Sequence, residues 1–194
     1  MESPLDMAEG SDAARASRLN TWVAITIALL ATFIGITKVK DDNIVQAMQQ
    51  AQADKLDHWA FYQARNIREE IARAERTSLE LQAPGQPSRR AAFDSAIARY
   101  RALEADQSSK KRDLQTQAEQ DQRTYDTLNY RDDQFDLADA LLAIAISILA
   151  LTSLTQKKWL YWVAMIPTAL GVLMGLAGLL GWHLHPDSIA RLLS

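Results

Sequence analysis

The chain contains no cysteine, which excludes disulfides, thiolate nucleophiles and cysteine-based zinc sites together. It has no excess of positive charge either. The formal net charge is -3 and the isoelectric point about 5.6, so no nucleic-acid partner held by a basic surface is expected. Helix breakers are sparse: no glycine or proline falls between Gly35 and Pro84, nor any proline or glycine between Pro87 and Pro167. Histidine is scarce, with His58, His183 and His185 alone. No Walker loop, G-x-G-x-x-G, H-E-x-x-H or G-x-S-x-G occurs. The expectation is a non-enzymatic protein without catalytic, cofactor-binding or metal-binding residues.

What the chain does have is apolar residues, and they are not spread evenly. They make up 48% of 194 residues, and the mean hydropathy of -0.18 conceals three long blocks. No charge occurs over 19–37, whose centre reads WVAITIALLATFIGI. At helical rise about 19 residues reach roughly 28 Å, the hydrocarbon thickness of a bilayer. A second block covers 137–156, with Asp139 close enough to its start to reach the interface, and a third covers 159–182. Three such blocks in so short a chain leave too little polar sequence to enclose them, so each is read as a transmembrane helix. Arg15 and Arg18 precede the first as in a signal peptide, but Thr37-Lys38-Val39-Lys40 follows where a cleavage site would need small residues. The segment is read as a retained anchor. Trp22, Trp159, Trp162 and Trp182 mark the block ends, where amphipathic rings settle at headgroup level.

Between the first two blocks lies a polar segment, 38–136, rich in Ala, Gln, Glu, Arg and Lys. Such composition without breakers predicts helix. Pro84-Gly85-Gln86-Pro87 predicts a turn, with Ser88 as the following N-cap, over 84–88. Two arms of nearly equal length, about 70 Å each, suit a chain that leaves a membrane and returns to it. The expected fold is therefore all-α: three transmembrane helices with a long antiparallel coiled-coil hairpin between the first and second. Residues 1–18 are expected to form a disordered tail and 183–194 a short C-terminal tail.

The expected seam follows the apolar residues. Ala60, Ala64, Ile67, Ile71, Ala74, Ser78 and Leu81 alternate steps of four and three. On the return arm Phe93, Ile97, Tyr100 and Leu103 form the stripe, continued by Leu114, Ala118, Tyr125, Leu128 and Phe135 but interrupted by Gln107, Lys111, Asp121 and Asp132. Folding about the turn predicts partners whose numbers total about 171: Ile97 with Ala74, Tyr100 with Ile71, Leu103 near Ile67, and Lys111 beside Trp59 and Phe61. The same rule sets Lys38 and Lys40 beside Asp132, Asp133 and Asp136, and Arg131 near Asp41 and Asp42. So polar a seam suggests that the hairpin packs against further helices, from other copies or a partner.

Inside the blocks Thr26, Thr32, Ser147, Thr152, Ser153 and Thr168 are expected to bond back to helix carbonyls. The third block carries Ala164, Thr168, Gly171, Gly175 and Gly178 in steps of four and three. This close-packing stripe meets either the chain's own spans or another copy. Pro167 is expected to kink that helix. His183 and His185, two residues apart, would share a metal only in a turn and are read as interfacial; His58 is read as flanking the seam.

The stretch ITKVKDDNIVQAMQQAQADKLDHWAFYQARNIREE, over 36–70, resembles an uncharacterised bacterial membrane family, domain-of-unknown-function family 4337. The K-x-K-D-D-N-I-V-Q-A and H-W-A-F-Y-Q-A-R-N-I-R blocks carry the resemblance, which extends over nearly the whole chain. It implies a bacterial membrane protein and brings no activity with it; with the three blocks, the expected localisation is multi-pass in the bacterial inner membrane. Arg15, Arg18, Lys157 and Lys158, against Arg191 outside, favour an N-terminus inside and a periplasmic hairpin, although Lys38, Lys40 and Arg131 at the edges of the polar segment pull the other way. The functional expectation is a membrane-anchored interaction or scaffold protein, with the bilayer and a homo-oligomer or helical partner as its contacts. The alternatives are a sensor or regulatory subunit that passes helix shifts across the membrane, and a pore-forming oligomer.

Overall fold

Long breaker-free stretches produce three helices in the computed structural model, which describes residues 4–182, with side chains from residue 18 onward. Helix α1 is Pro4–Gln82, α2 is Arg90–Thr155 and α3 is Lys158–Leu180. Two short 3-10 turns, Ala83–Gly85 and Pro87–Arg89, join α1 to α2. Ser88 lies inside the second turn instead of capping α2. The backbone of α1 is helical from Pro4, within the stretch expected to be a disordered tail; that stretch is rich in alanine, the strongest helix former. The C-terminal tail at 183–194, with His183 and His185, lies outside the described residues.

Each helix carries an 18-residue window apolar enough to cross a membrane, of mean hydropathy 1.9, 2.2 and 2.1 in chain order. The contacts divide the chain into two units: the described parts of Met1–Gln46 with Leu128–Ser194, and Ala47–Thr127.

In the first unit Val23, Leu30, Leu142, Ala145, Leu149 and Ala164 form the buried cluster. The small residues of α3 let it approach both neighbours. A Cβ on Gly171 would lie 2.8 Å from Leu142, one on Gly175 2.7 Å from Phe33, and one on Gly178 2.8 Å from Phe135. The helix runs through Pro167 and ends at Gly181, whose φ of 70° is the left-handed conformation that glycine adopts without cost. The Trp182 amide then donates to the Ala177 carbonyl at 2.9 Å, which closes the helix end. At the opposite end, Gln156 holds φ 55° between α2 and α3, and its side-chain amide donates to Asn20 Oδ1 at 2.9 Å.

In the second unit the two arms pair in opposite chain directions. Their facing positions step by three and four: Met48, Ala51, Lys55, His58, Tyr62 and Arg65, then Glu69, Ala72, Arg76, Leu79 and Ala83 on α1, none of them exposed except at polar tips. Opposite them stand Phe93, Ile97, Tyr100, Glu104, Gln107 and Lys111, then Leu114, Ala118, Asp121 and Tyr125.

This differs from the expected seam. The α2 phase agrees, apart from Leu103, which is exposed and leaves its place to Glu104. The α1 phase is displaced by two residues, so Ala60, Ala64, Ile67, Ile71 and Ala74 face away from the seam. Ile67 is 60% exposed and Ile71 57%. The register moves as well: Lys55 pairs with Gln122, His58 with Asp121 and Glu69 with Lys111, totals of 177, 179 and 180 in place of 171, while the long Arg65 side chain reaches Gln107 at a total of 172. The cause is polar matching. The α2 residues that interrupt the apolar stripe are charged or amide groups, and a half-buried polar group needs a polar partner more than an apolar pair needs burial.

Candidate functional site

Among the described residues three places concentrate chemistry, each built by one unit alone.

The first is the polar ladder inside the second unit. His58 Nδ1 lies 2.7 Å from Asp121 Oδ2. Lys111 Nζ lies 2.7 Å from Glu69 Oε2, donates to Asn66 Oδ1 at 3.0 Å and sits 5.9 Å from the Tyr62 ring centroid. It does not reach Trp59 or Phe61 as expected; Trp59 instead packs edge-on against Tyr62. Arg65 donates to Gln107 Oε1 at 3.2 Å. Nearer the tip Glu104 accepts from Arg73 at 2.9 Å and Arg76 at 3.0 Å. Those hydrogen bonds, Arg73's first, hold the Glu104 carboxyl below the usual carboxylate range. Sequence reasoning missed the α1 half of this ladder. Its signal was present: Lys55, His58, Arg65, Glu69 and Arg76 keep the heptad in phase with the polar positions of α2.

The second place is an acidic group at the end of the first unit. Lys38 Nζ bonds Asp41 Oδ2 at 2.8 Å and stands 3.9 Å from Asp42, so its ion-pair contacts lie on its own helix, while its charge acts on Asp136 without an ion-pair contact. Asp41 is 3% exposed, and its Oδ1 has no donor. Burial, then the side-chain interaction with Asp41, push the Asp132 carboxyl up to about 6. Burial also raises Asp136, with Asp41's charge adding to the effect. Arg131 does not pair with Asp41 or Asp42. It donates to the Gly178 carbonyl at 2.8 Å, while Gln134 donates to the Trp182 carbonyl at 2.8 Å. The Arg131 guanidinium on the Gly178 carbonyl, in the last turn of α3, complements the dipole of that helix. Among the described residues no group of three or more His, Asp or Glu is placed to hold a metal ion.

The third place is an open cleft of about 620 Å³ lined by Arg18, Leu19, Trp22, Lys158, Tyr161 and Trp162. Tyr161 of that lining shares a hydrogen bond of 3.2 Å between its OH and Thr26 Oγ1.

Of the expected site residues, Ala164, Gly171, Gly175 and Gly178 are buried against the chain's own helices, with Thr168 half-buried and bonded to the Ala164 carbonyl. Trp22, Trp159, Trp162 and Trp182 are exposed. Phe93 is buried, and Ile97 and Tyr100 half-buried, in the second unit. Thr26, Thr32, Ser147 and Thr152 donate to carbonyls four residues back, whereas Ser153 bonds Asn20.

The fold thus defines an all-helical protein with three long apolar helices and a polar paired segment. A family model, Domain of unknown function (DUF4337), matches residues 19–181, and the chain belongs to that family. No curated protein and no solved structure matches it.

Proposed function

We propose that the chain is a multi-pass protein of the bacterial inner membrane, with a coiled-coil hairpin that acts as a non-enzymatic interaction scaffold. The observation that carries the membrane half is exposed apolar surface in the first unit. Only 17%, 33% and 28% of the three apolar windows are buried. Leu29, Ile36, Ile144, Leu151, Ile166 and Leu170 stand open, more apolar side chain than water tolerates on a monomer. Lipid covers them at no such cost. The cleft bearing Arg18, Lys158, Trp22 and Trp162 supplies the cationic and aromatic collar expected at headgroups. With Arg18, Lys157 and Lys158 inside, the hairpin lies in the periplasm.

The scaffold half rests on the second unit. It has a polar ladder fixing one register and an apolar helix face left over, an arrangement suited to holding other helices, with a homo-oligomer as the first partner. Its chemistry is that of a strut: the polar groups pair with one another across the seam. The test is membrane fractionation with reporter fusions at Gln86 and Lys157. The expected result is an integral protein with Gln86 periplasmic and Lys157 cytoplasmic. Extraction by alkaline carbonate would overturn the membrane reading, and the reverse reporter pattern would overturn the orientation.

A further inference from the structure

We infer that copies of this chain assemble side by side, the outer face of α1 in one hairpin packing on the outer face of α2 in the next. This rests on the self-association proposed above and names its two faces.

Two residues along a helix turn a side chain through about 200°. The α1 stripe, displaced by two from the seam, therefore lies on the outer edge of the hairpin. Its large members Ile67, Ile71 and Leu81 are 60%, 57% and 78% exposed. The α2 arm has a counterpart displaced by two the other way. Ala91, Ser95, Ala98, Ala102, Ala105 and Ser109 are all exposed, again in steps of four and three. One edge carries Ile67, Ile71 and Leu81 among smaller residues, and the other carries only alanine and serine. Both keep the heptad, so large side chains of one copy fit between small ones of the next.

The match extends to level and charge. With two hairpins side by side at the same height, Ile71 stands opposite Ala105 and Ala74 opposite Ala102, totals of 176 that fall close to the in-chain register. The flanking positions then bring Arg68 to Asp106 of the neighbouring copy and Glu75 to its Arg99. Among the described residues neither Arg68 nor Glu75 has an ion pair or hydrogen bond within its own chain. The rival arrangement, α1 against α1 with both hairpins pointing the same way, brings Glu70 beside Glu75 and is disfavoured by like charge. Packing α1 on the neighbour's α2 also keeps both hairpins pointing the same way, as two chains in one bilayer must. The two faces differ, so the contact is head-to-tail and continues into a ring or a row.

The chain without native cysteine makes the test direct. A variant carrying both Ala74→Cys and Ala102→Cys, oxidised in native membranes, should give a ladder of covalent dimers, trimers and larger species. Either single variant should give none. Separately, Ile67→Glu with Ile71→Glu, both on exposed positions, should reduce the detergent-solubilised mass to one chain while circular dichroism stays unchanged. Dimers from Ala74→Cys alone would mean that α1 faces α1 and would overturn the inference. A wild-type oligomer by mass with no ladder would overturn the pairing of faces but leave self-association standing. A wild-type mass of one chain would overturn both.

Discussion

Lys111 Nζ and Glu69 Oε2 stand 2.7 Å apart across the two arms, with side chains 19% and 5% exposed. An ion pair so withdrawn from water specifies register, because sliding either arm leaves a charge buried alone. Lys111→Met should therefore destabilise the hairpin by about 1–3 kcal/mol, Arg73 still holding the other Glu69 oxygen. Adding Glu69→Leu should return most of that loss. Thermal melts of the single and double variants check the pair, and additive losses would show that the two do not interact.

Neighbouring residues on α1 should behave in opposite ways. Ile71 faces outward and Ala72 is 1% exposed. Ile71→Asp should change the stability of the hairpin within a single chain by no more than about 0.5 kcal/mol, as surface substitutions do, any further loss in the assembled protein belonging to the contact between copies. Ala72→Asp should cost several times more, since it buries a carboxylate without a partner. Chemical denaturation of both variants, followed by helicity, distinguishes this seam from one that contains Ile71.

Much of the fold was legible in the sequence: the three apolar helices, the turn near Pro84 and the phase of α2. Each rests on a strong local signal, a missing charge, a missing breaker or a spaced apolar set. The α1 phase was not legible from apolar pattern alone, because Ile67 and Ile71 keep the heptad as well as Glu69 and Ala72 do. The choice between those phases belongs to the facing arm, where Gln107, Lys111 and Asp121 need polar partners. Tertiary matching of polar groups overrode the apolar stripe, and the register moved with it. Similarly, Lys38 and Arg131 found partners that charge counting did not assign them, an aspartate one turn away and a helix-end carbonyl.

The third helix should tolerate no side chain at Gly175. Its Cβ would stand 2.7 Å from the Phe33 ring and 3.2 Å from Thr37 Cγ2. Gly175→Ala should cost about 1–3 kcal/mol, typical of an overpacked contact, and Gly175→Leu more. Melting in detergent reads the loss. Phe33→Leu combined with Gly175→Ala should recover part of it, and no recovery would place the clash elsewhere.

The acidic group should loosen as pH rises. Asp132 titrates near 6 in the folded protein against an ordinary 3.8, so its protonated form favours the folded state. That contribution is complete below about pH 3.8 and is lost as pH rises through about 6. Melting temperature in detergent should therefore fall between pH 5 and pH 7.5. Asp132→Asn, which keeps a donor for Asp41 at every pH, should flatten the fall and raise the value at pH 7.5. A wild-type profile equally flat would remove the shared proton.

The central claim is that the arms lock through a polar seam and leave the apolar stripe outside. Ala72 and Gln107 lie two heptads along their arms from His58 and Asp121, in an equivalent layer of the seam. Disulfide formation within one chain is the most direct measurement. Ala72→Cys with Gln107→Cys should link efficiently under mild oxidation, and Ala74→Cys with Ile97→Cys should not. Efficient in-chain linkage of the second pair, with none in the first, would contradict the account.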